Sequence, residues 1–172
     1  KKNGLYKTYY ENGKLRIRST YKDGLRDGPT EGYHENGQLQ QKLTFVAGQR
    51  DGPSESYYEN GRLRIKSTYK AGMEDGPFES YQENGQLHRR GTYLAGKAHG
   101  LFESYHENGQ LEEKLTYVAD HWCGPFESYH ENGQLKEKGT YVGDLDGPYE
   151  SYHENGRLKE KGTYLAGMED GP

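Results

Sequence analysis

One cysteine, Cys123, and one tryptophan, Trp122, stand side by side in a chain of 172 residues. A lone cysteine excludes an intrachain disulfide and leaves the redox compartment open. No apolar stretch approaches the length of a membrane span, and no signal peptide is visible. Hydrophobic residues are scarce at 30%, against 29% charged, a balance that alone leans towards disorder. The net charge of -4, with no basic run, offers no general attraction to nucleic acid or anionic lipid. The chain opens on Lys1-Lys2-Asn3-Gly4 without an initiator Met and closes on Asp170-Gly171-Pro172, which is how a further repeat would begin, so it reads as a piece of something longer.

What the chain does have is tyrosine. Its 17 Tyr and 4 Phe supply rings that bury area while leaving hydroxyls wet, enough for a thin ordered core. The second abundant feature is repetition. Asn-Gly recurs at Asn12, Asn36, Asn60, Asn84, Asn108, Asn132 and Asn155, at intervals of 24 residues and finally 23. The missing residue falls in the loop Tyr141 to Gly147, where a deletion costs least. The units run over about 4-27, 28-51, 52-75, 76-99, 100-123, 124-146 and 147-170, one continuous array over 1-172.

Asn-Gly between strand-like runs predicts a hairpin with a two-residue type I′ turn. Apolar residues do not recur at 3 and 4, and Gly appears several times per unit, which argues against helix. The fold class predicted is therefore all-β: an elongated antiparallel meander of seven hairpins, about fourteen strands in a single twisted solenoid-like sheet about 65 Å long.

Charge sets the register. A two-residue turn opposes Glu31 to Lys42, Glu55 to Lys66, Glu79 to Arg90, Glu103 to Lys114, Glu127 to Lys138 and Glu150 to Lys161, with Lys7 against Arg18 the exception. A three-residue loop with a bulge sets Glu103 against Glu113 and Glu127 against Glu137, like charges opposed, so the two-residue turn is preferred. That register puts the Leu row (Leu15 to Leu158) and an aromatic row (Tyr21, Phe45, Tyr69, Tyr93, Tyr117, Tyr141, Tyr164) on the core face. Phe78, Phe126 and Tyr149 then cover Gly91, Gly139 and Gly162.

The unit of glycine, aromatic, Tyr, Asn-Gly, Leu, Tyr, Gly and Asp-Gly resembles the MORN repeat, and more closely its bacterial variant, over essentially the whole chain. The resemblance implies an elongated sheet of hairpins. It also implies a binding module without catalytic residues: bacterial proteins of this variant are often labelled antitoxins, and eukaryotic ones are similar in serving as scaffolds or membrane-associated modules.

The residues themselves offer little chemistry. The His column (His34, His106, His130, His153) repeats every second strand, about 9.5 Å apart, whereas zinc ligands must come within about 2.1 Å of one ion, so no metal or other cofactor is expected. Cys123 lacks an orienting base, so no catalysis is expected. The basic column is neutralised by its Glu partners, which argues against nucleic acid. Two features suit a protein partner. One is the break in the repeat at His121-Trp122-Cys123, where Trp is a common anchor. The other is a Tyr row including Tyr57, Tyr81, Tyr105 and Tyr129, opposite the core. The expected function is non-enzymatic protein binding, the compartment left open with the cytoplasm favoured over a secreted or surface location; the antitoxin or immunity role, and a toxin as partner, come only from the resemblance. The alternative is a structural, surface or membrane-peripheral scaffold, and open strand edges allow edge-to-edge self-association.

Overall fold

A computed structural model describes residues 1–142, 144–165 and 168–169, and among these there is no helix. The chain forms two compact units, Lys1–Gln86 and Leu87–Pro172, the boundary falling at the fourth Asn-Gly turn. Unit 1 holds β1 (Gly4–Tyr9), β2 (Leu15–Lys22), β3 (Leu25–Tyr33), β4 (Leu39–Val46), β5 (Gln49–Tyr57), β6 (Leu63–Lys70), β7 (Met73–Glu74) and β8 (Gly76–Tyr81). Each strand from β1 to β6 pairs antiparallel with the next, and β7 and β8 both pair with β6.

Unit 2 repeats the pattern with β9 (Leu87–Leu94), β10 (Lys97–Ala98), β11 (Gly100–Tyr105), β12 (Leu111–Val118) and β13 (His121–Tyr129). It continues through β14 (Leu135–Val142), β15 (Asp144–Leu145), β16 (Gly147–Tyr152), β17 (Leu158–Leu165) and β18 (Met168–Glu169). All its pairings are antiparallel as well. The all-β hairpin meander is therefore the fold of both units. Gly143, inside the shortened loop, lies outside the described residues.

The five predicted acid-base pairs that fall within a unit are observed, from Glu31 opposite Lys42 to Glu150 opposite Lys161. The turn that produces them is not the one predicted. Gly37 N–H donates to His34 O at 2.8 Å and His34 N–H to Gln38 O at 2.8 Å, enclosing a three-residue loop. Only Gly37 of the pair has positive φ, at 94°. This is a type I turn closed by a glycine bulge. It shifts the register by one residue, and a second bulge shifts it back: Tyr33 opposes Leu39 while Gly32 opposes Gln41, leaving Gln40 extra.

True type I′ turns lie at the opposite end of the strands. Asp23-Gly24, Ala47-Gly48, Ala71-Gly72 and Ala95-Gly96 all have positive φ at both residues.

The bulge also corrects the predicted faces. Directly opposed residues share a face, so Leu39 joins Tyr33, Glu31 and Lys42 on what we call the outer face, and the Leu row leaves the core. The inner face keeps the aromatic row. Its buried apolar residues are Leu43 and Phe45 in unit 1 and Ala98, Phe102, Leu115 and Phe126 in unit 2. Phe126 opposes Gly139 and Tyr149 opposes Gly162. In unit 2 the Phe102 ring lies over Gly91, its Cδ1 2.3 Å from where a Cβ would stand.

Candidate partner-binding surface

Strand alternation separates the sequence candidates. Tyr57 and Tyr81 stand on the outer face of unit 1, Tyr105 and Tyr129 on that of unit 2. His121 opposes Val118 and Cys123 opposes Val142, which puts both on the outer face as well. Trp122 opposes Tyr117 and so stands on the inner face. The broken phrase is thus not one cluster.

The outer tyrosines are tied down. Tyr57, Tyr81, Tyr105 and Tyr129 each donate a hydroxyl proton to the Glu two residues earlier on the same strand, Glu55, Glu79, Glu103 and Glu127. Burial first, then this carboxylate, pushes the hydroxyls of Tyr57 and Tyr129 up to about 12. The same glutamates stand in a ladder. Across unit 2, Arg90, Glu103, Lys114, Glu127, Lys138, Glu150 and Lys161 oppose one another in order, alternating in sign. Unit 1 runs Arg18, Glu31, Lys42, Glu55, Lys66, Glu79 in the same way, preceded by Lys7. Exposed pairs of this kind contribute under about 1 kcal/mol each; their main effect is to fix register and cancel charge.

Beyond the ladder in unit 2, towards the type I′ turns, the outer face turns aliphatic. Leu94, Leu101, Val118, Val142 and Leu165 are all exposed, Val142 to 68%.

The His column serves as a tie between hairpins. His34, His106 and His130 bring Nε2 to the carbonyls of Tyr57, Tyr129 and Tyr152, and Tyr10 and Tyr58 donate to Tyr33 O and Tyr81 O from the same position. A carbonyl only accepts, so the imidazoles carry their proton on Nε2. The groove of about 530 Å³ lined by His106, His130 and Glu131 lies between two such turns. Among the described residues no group of three or more His, Cys, Asp or Glu could hold a metal ion.

Trp122 is an exposed aromatic on the inner face of unit 2. It is 45% accessible and leans on Tyr141, ring centroids 5.1 Å apart, with Phe126 on the other side of Tyr141 at 4.8 Å. One further feature escaped the sequence reading. Glu113, Glu137 and Glu160 stand in one row of the inner face, joined through Ser128 and Ser151. Burial raises the Glu113 carboxyl above its ordinary value, and Glu112 adds to the shift. In sequence each of the three glutamates precedes a lysine, which hid them; only alternation along a strand parts the two charges.

The family described as MORN repeat variant matches the chain seven times, over residues 2–23, 26–47, 50–71, 74–95, 98–119, 122–142 and 145–166. No curated protein matches it. A crystal structure of a protein with unknown function from Bacteroides fragilis NCTC 9343 is 10% identical over 96% of this chain and 95% of that one, with a TM-score of 0.15. That superposition bears on neither fold nor function.

Proposed function

The chain belongs to the MORN repeat variant family, and from that membership we propose that it is a non-enzymatic protein-binding repeat protein, an antitoxin or immunity factor that engages a toxin partner. Repeats of this family generally mediate protein or membrane interactions. The observation that carries the protein-binding reading is Trp122: an indole 45% exposed, held on a strand against Tyr141 rather than on a mobile loop. An ordered, accessible aromatic binds at low entropic cost.

The toxin role follows from the family resemblance and has its own test. The product of the adjacent reading frame is co-expressed with this protein; a co-purifying complex and relief of toxicity support the role, and absence of both refutes it. Trp122→Ala is expected to weaken the complex at least about tenfold, as hot-spot truncations do. An unchanged affinity removes Trp122 from the interface.

The exposed aliphatic row of unit 2 favours a second reading, a membrane-peripheral scaffold. Co-sedimentation with neutral phosphatidylcholine vesicles, lost in Val142→Ser, supports it; recovery of all the protein in the supernatant counts against it.

A further inference from the structure

The two units treat their inner faces differently. In unit 1 several rings are covered by the chain's own cations: Lys2 lies 5.2 Å from Tyr6 and 5.1 Å from Tyr21, Arg26 5.3 Å from Phe45 and Arg50 5.2 Å from Tyr69. The row beside those rings, including Ile17, Gln41, Ser56 and Ile65, is uncharged. The third position of this kind in unit 1 is Glu74, which accepts from the Tyr69 hydroxyl at 3.1 Å; in unit 2 the equivalent positions include Ala98 and Trp122, and the neighbouring row carries Glu113, Glu137 and Glu160.

One cation of unit 2 shows how such a face is filled. Arg89, at the start of the acidic row, lays its guanidinium 5.0 Å from the Phe102 ring centre and donates to the Tyr117 hydroxyl at 3.3 Å. Further along, Tyr141 and Tyr149 offer half-buried rings beside the buried Phe126, and Glu137 accepts from Ser128 and Tyr149 with no cation of the described residues within ion-pair distance. Ser151, directly between Glu137 and Glu160, is 6% exposed, and its Oγ has no hydrogen-bond partner among the described residues. It lies near the Tyr149 hydroxyl, but that proton goes to Glu137. Ser151 Oγ thus keeps its lone pairs beneath the row, closed off from solvent.

We propose that this face of unit 2 is the docking groove for an arginine-bearing segment of the protein partner, extended across the strands with a cation at every third residue. The inference rests on the protein-binding reading and names the partner's chemistry. Guanidinium groups combine stacking on rings with paired bonds to carboxylates. The spacing follows from the sheet: the three glutamates are two strands apart, about 9.5 Å, and a polyproline-II segment repeats its face every three residues, about 9.3 Å. Lys136 beside the row and Arg89 at its head offset part of the charge at Glu113.

The test uses the full chain and a peptide of four Arg-Pro-Ser triplets, read by the fluorescence of Trp122. Saturable binding is expected. Glu113→Gln with Glu137→Gln should weaken it at least about tenfold, the scale of a charge-assisted bond, while Glu103→Gln with Glu127→Gln on the outer face should leave it within about twofold. An isomeric peptide with its four arginines adjacent should bind more weakly. Absence of saturable binding overturns the proposal, as does equal loss from both double variants. A toxin complex that needs Trp122 but ignores Glu113 and Glu137 also overturns it, leaving protein binding intact. Indifference of that complex to Trp122→Ala strikes the protein-binding reading instead.

Discussion

Ala98 N–H donates to Asp120 Oδ1 at 2.6 Å, across from the one type I′ turn of the described residues that lacks glycine. Asp120 sits at φ 74°, after Ala119 at 52°, where Gly24, Gly48, Gly72 and Gly96 occupy the other turns. An L-residue there is strained, and the side-chain bond offsets the strain. Asp120→Ala keeps the strain and loses the bond, so it should cost about 1 kcal/mol. Asp120→Asn retains the acceptor and should stay within about 0.5 kcal/mol of wild type. Urea unfolding of both variants decides; equal stabilities would mean the bond contributes nothing.

Asn36 offers a test of the turn type. Its Oδ1 accepts from Gln38 N–H at 2.8 Å and its Nδ2 donates to Glu59 O at 2.8 Å in the next hairpin. A type I′ turn would welcome Asn36→Gly, since glycine suits both central positions. In the observed turn Asn36 has no positive φ, and the substitution removes two hydrogen bonds, costing about 1–2 kcal/mol. A stabilised variant in thermal unfolding would restore the two-residue turn.

These two turns mark how far the sequence could be read. Asn-Gly announces a hairpin whichever turn closes it, because Gly37 needs positive φ in both cases. The Glu31–Lys42 and Glu127–Lys138 oppositions identify the strand register, since the ladder cancels charge in only one alignment. Nothing local announces the bulge at Gln40, an ordinary polar residue, so the charge pattern alone predicts the two-residue turn and places Leu39 on the core face. The same projection onto faces hid the acidic row: Glu137-Lys138 reads as neutral along the chain and as two opposite surfaces in the sheet.

Acid should act through Glu150. The Tyr152 hydroxyl, then Lys138 and Lys161, bond its carboxylate, and together they hold it down to about 2 from the ordinary 4.5. A folded-state value below the unfolded one means the stabilisation is present above about pH 4.5 and is lost as pH falls towards 2. The unfolding midpoint of the wild type should therefore drop through that window, and Glu150→Gln should drop less. Parallel curves for the two proteins would show that Glu150 does not contribute to acid sensitivity.

Glu113 predicts the opposite sign. Burial, Glu112 and Glu137 raise its carboxyl above 4.5, with Arg89 and Lys136 pulling the other way. The folded state therefore holds its proton more tightly than the unfolded chain, and ionised Glu113 penalises folding at neutral pH. Glu113→Gln should raise the unfolding midpoint at pH 7, by under about 1 kcal/mol because the group remains half exposed and screened. The advantage should vanish below the ordinary carboxylate range, where wild-type Glu113 is protonated. An arginine peptide in the groove neutralises the same charge, so saturating peptide should raise the wild-type midpoint and leave that of Glu113→Gln with Glu137→Gln nearly unchanged. A gain for Glu113→Gln that persists at low pH would trace to packing rather than to charge.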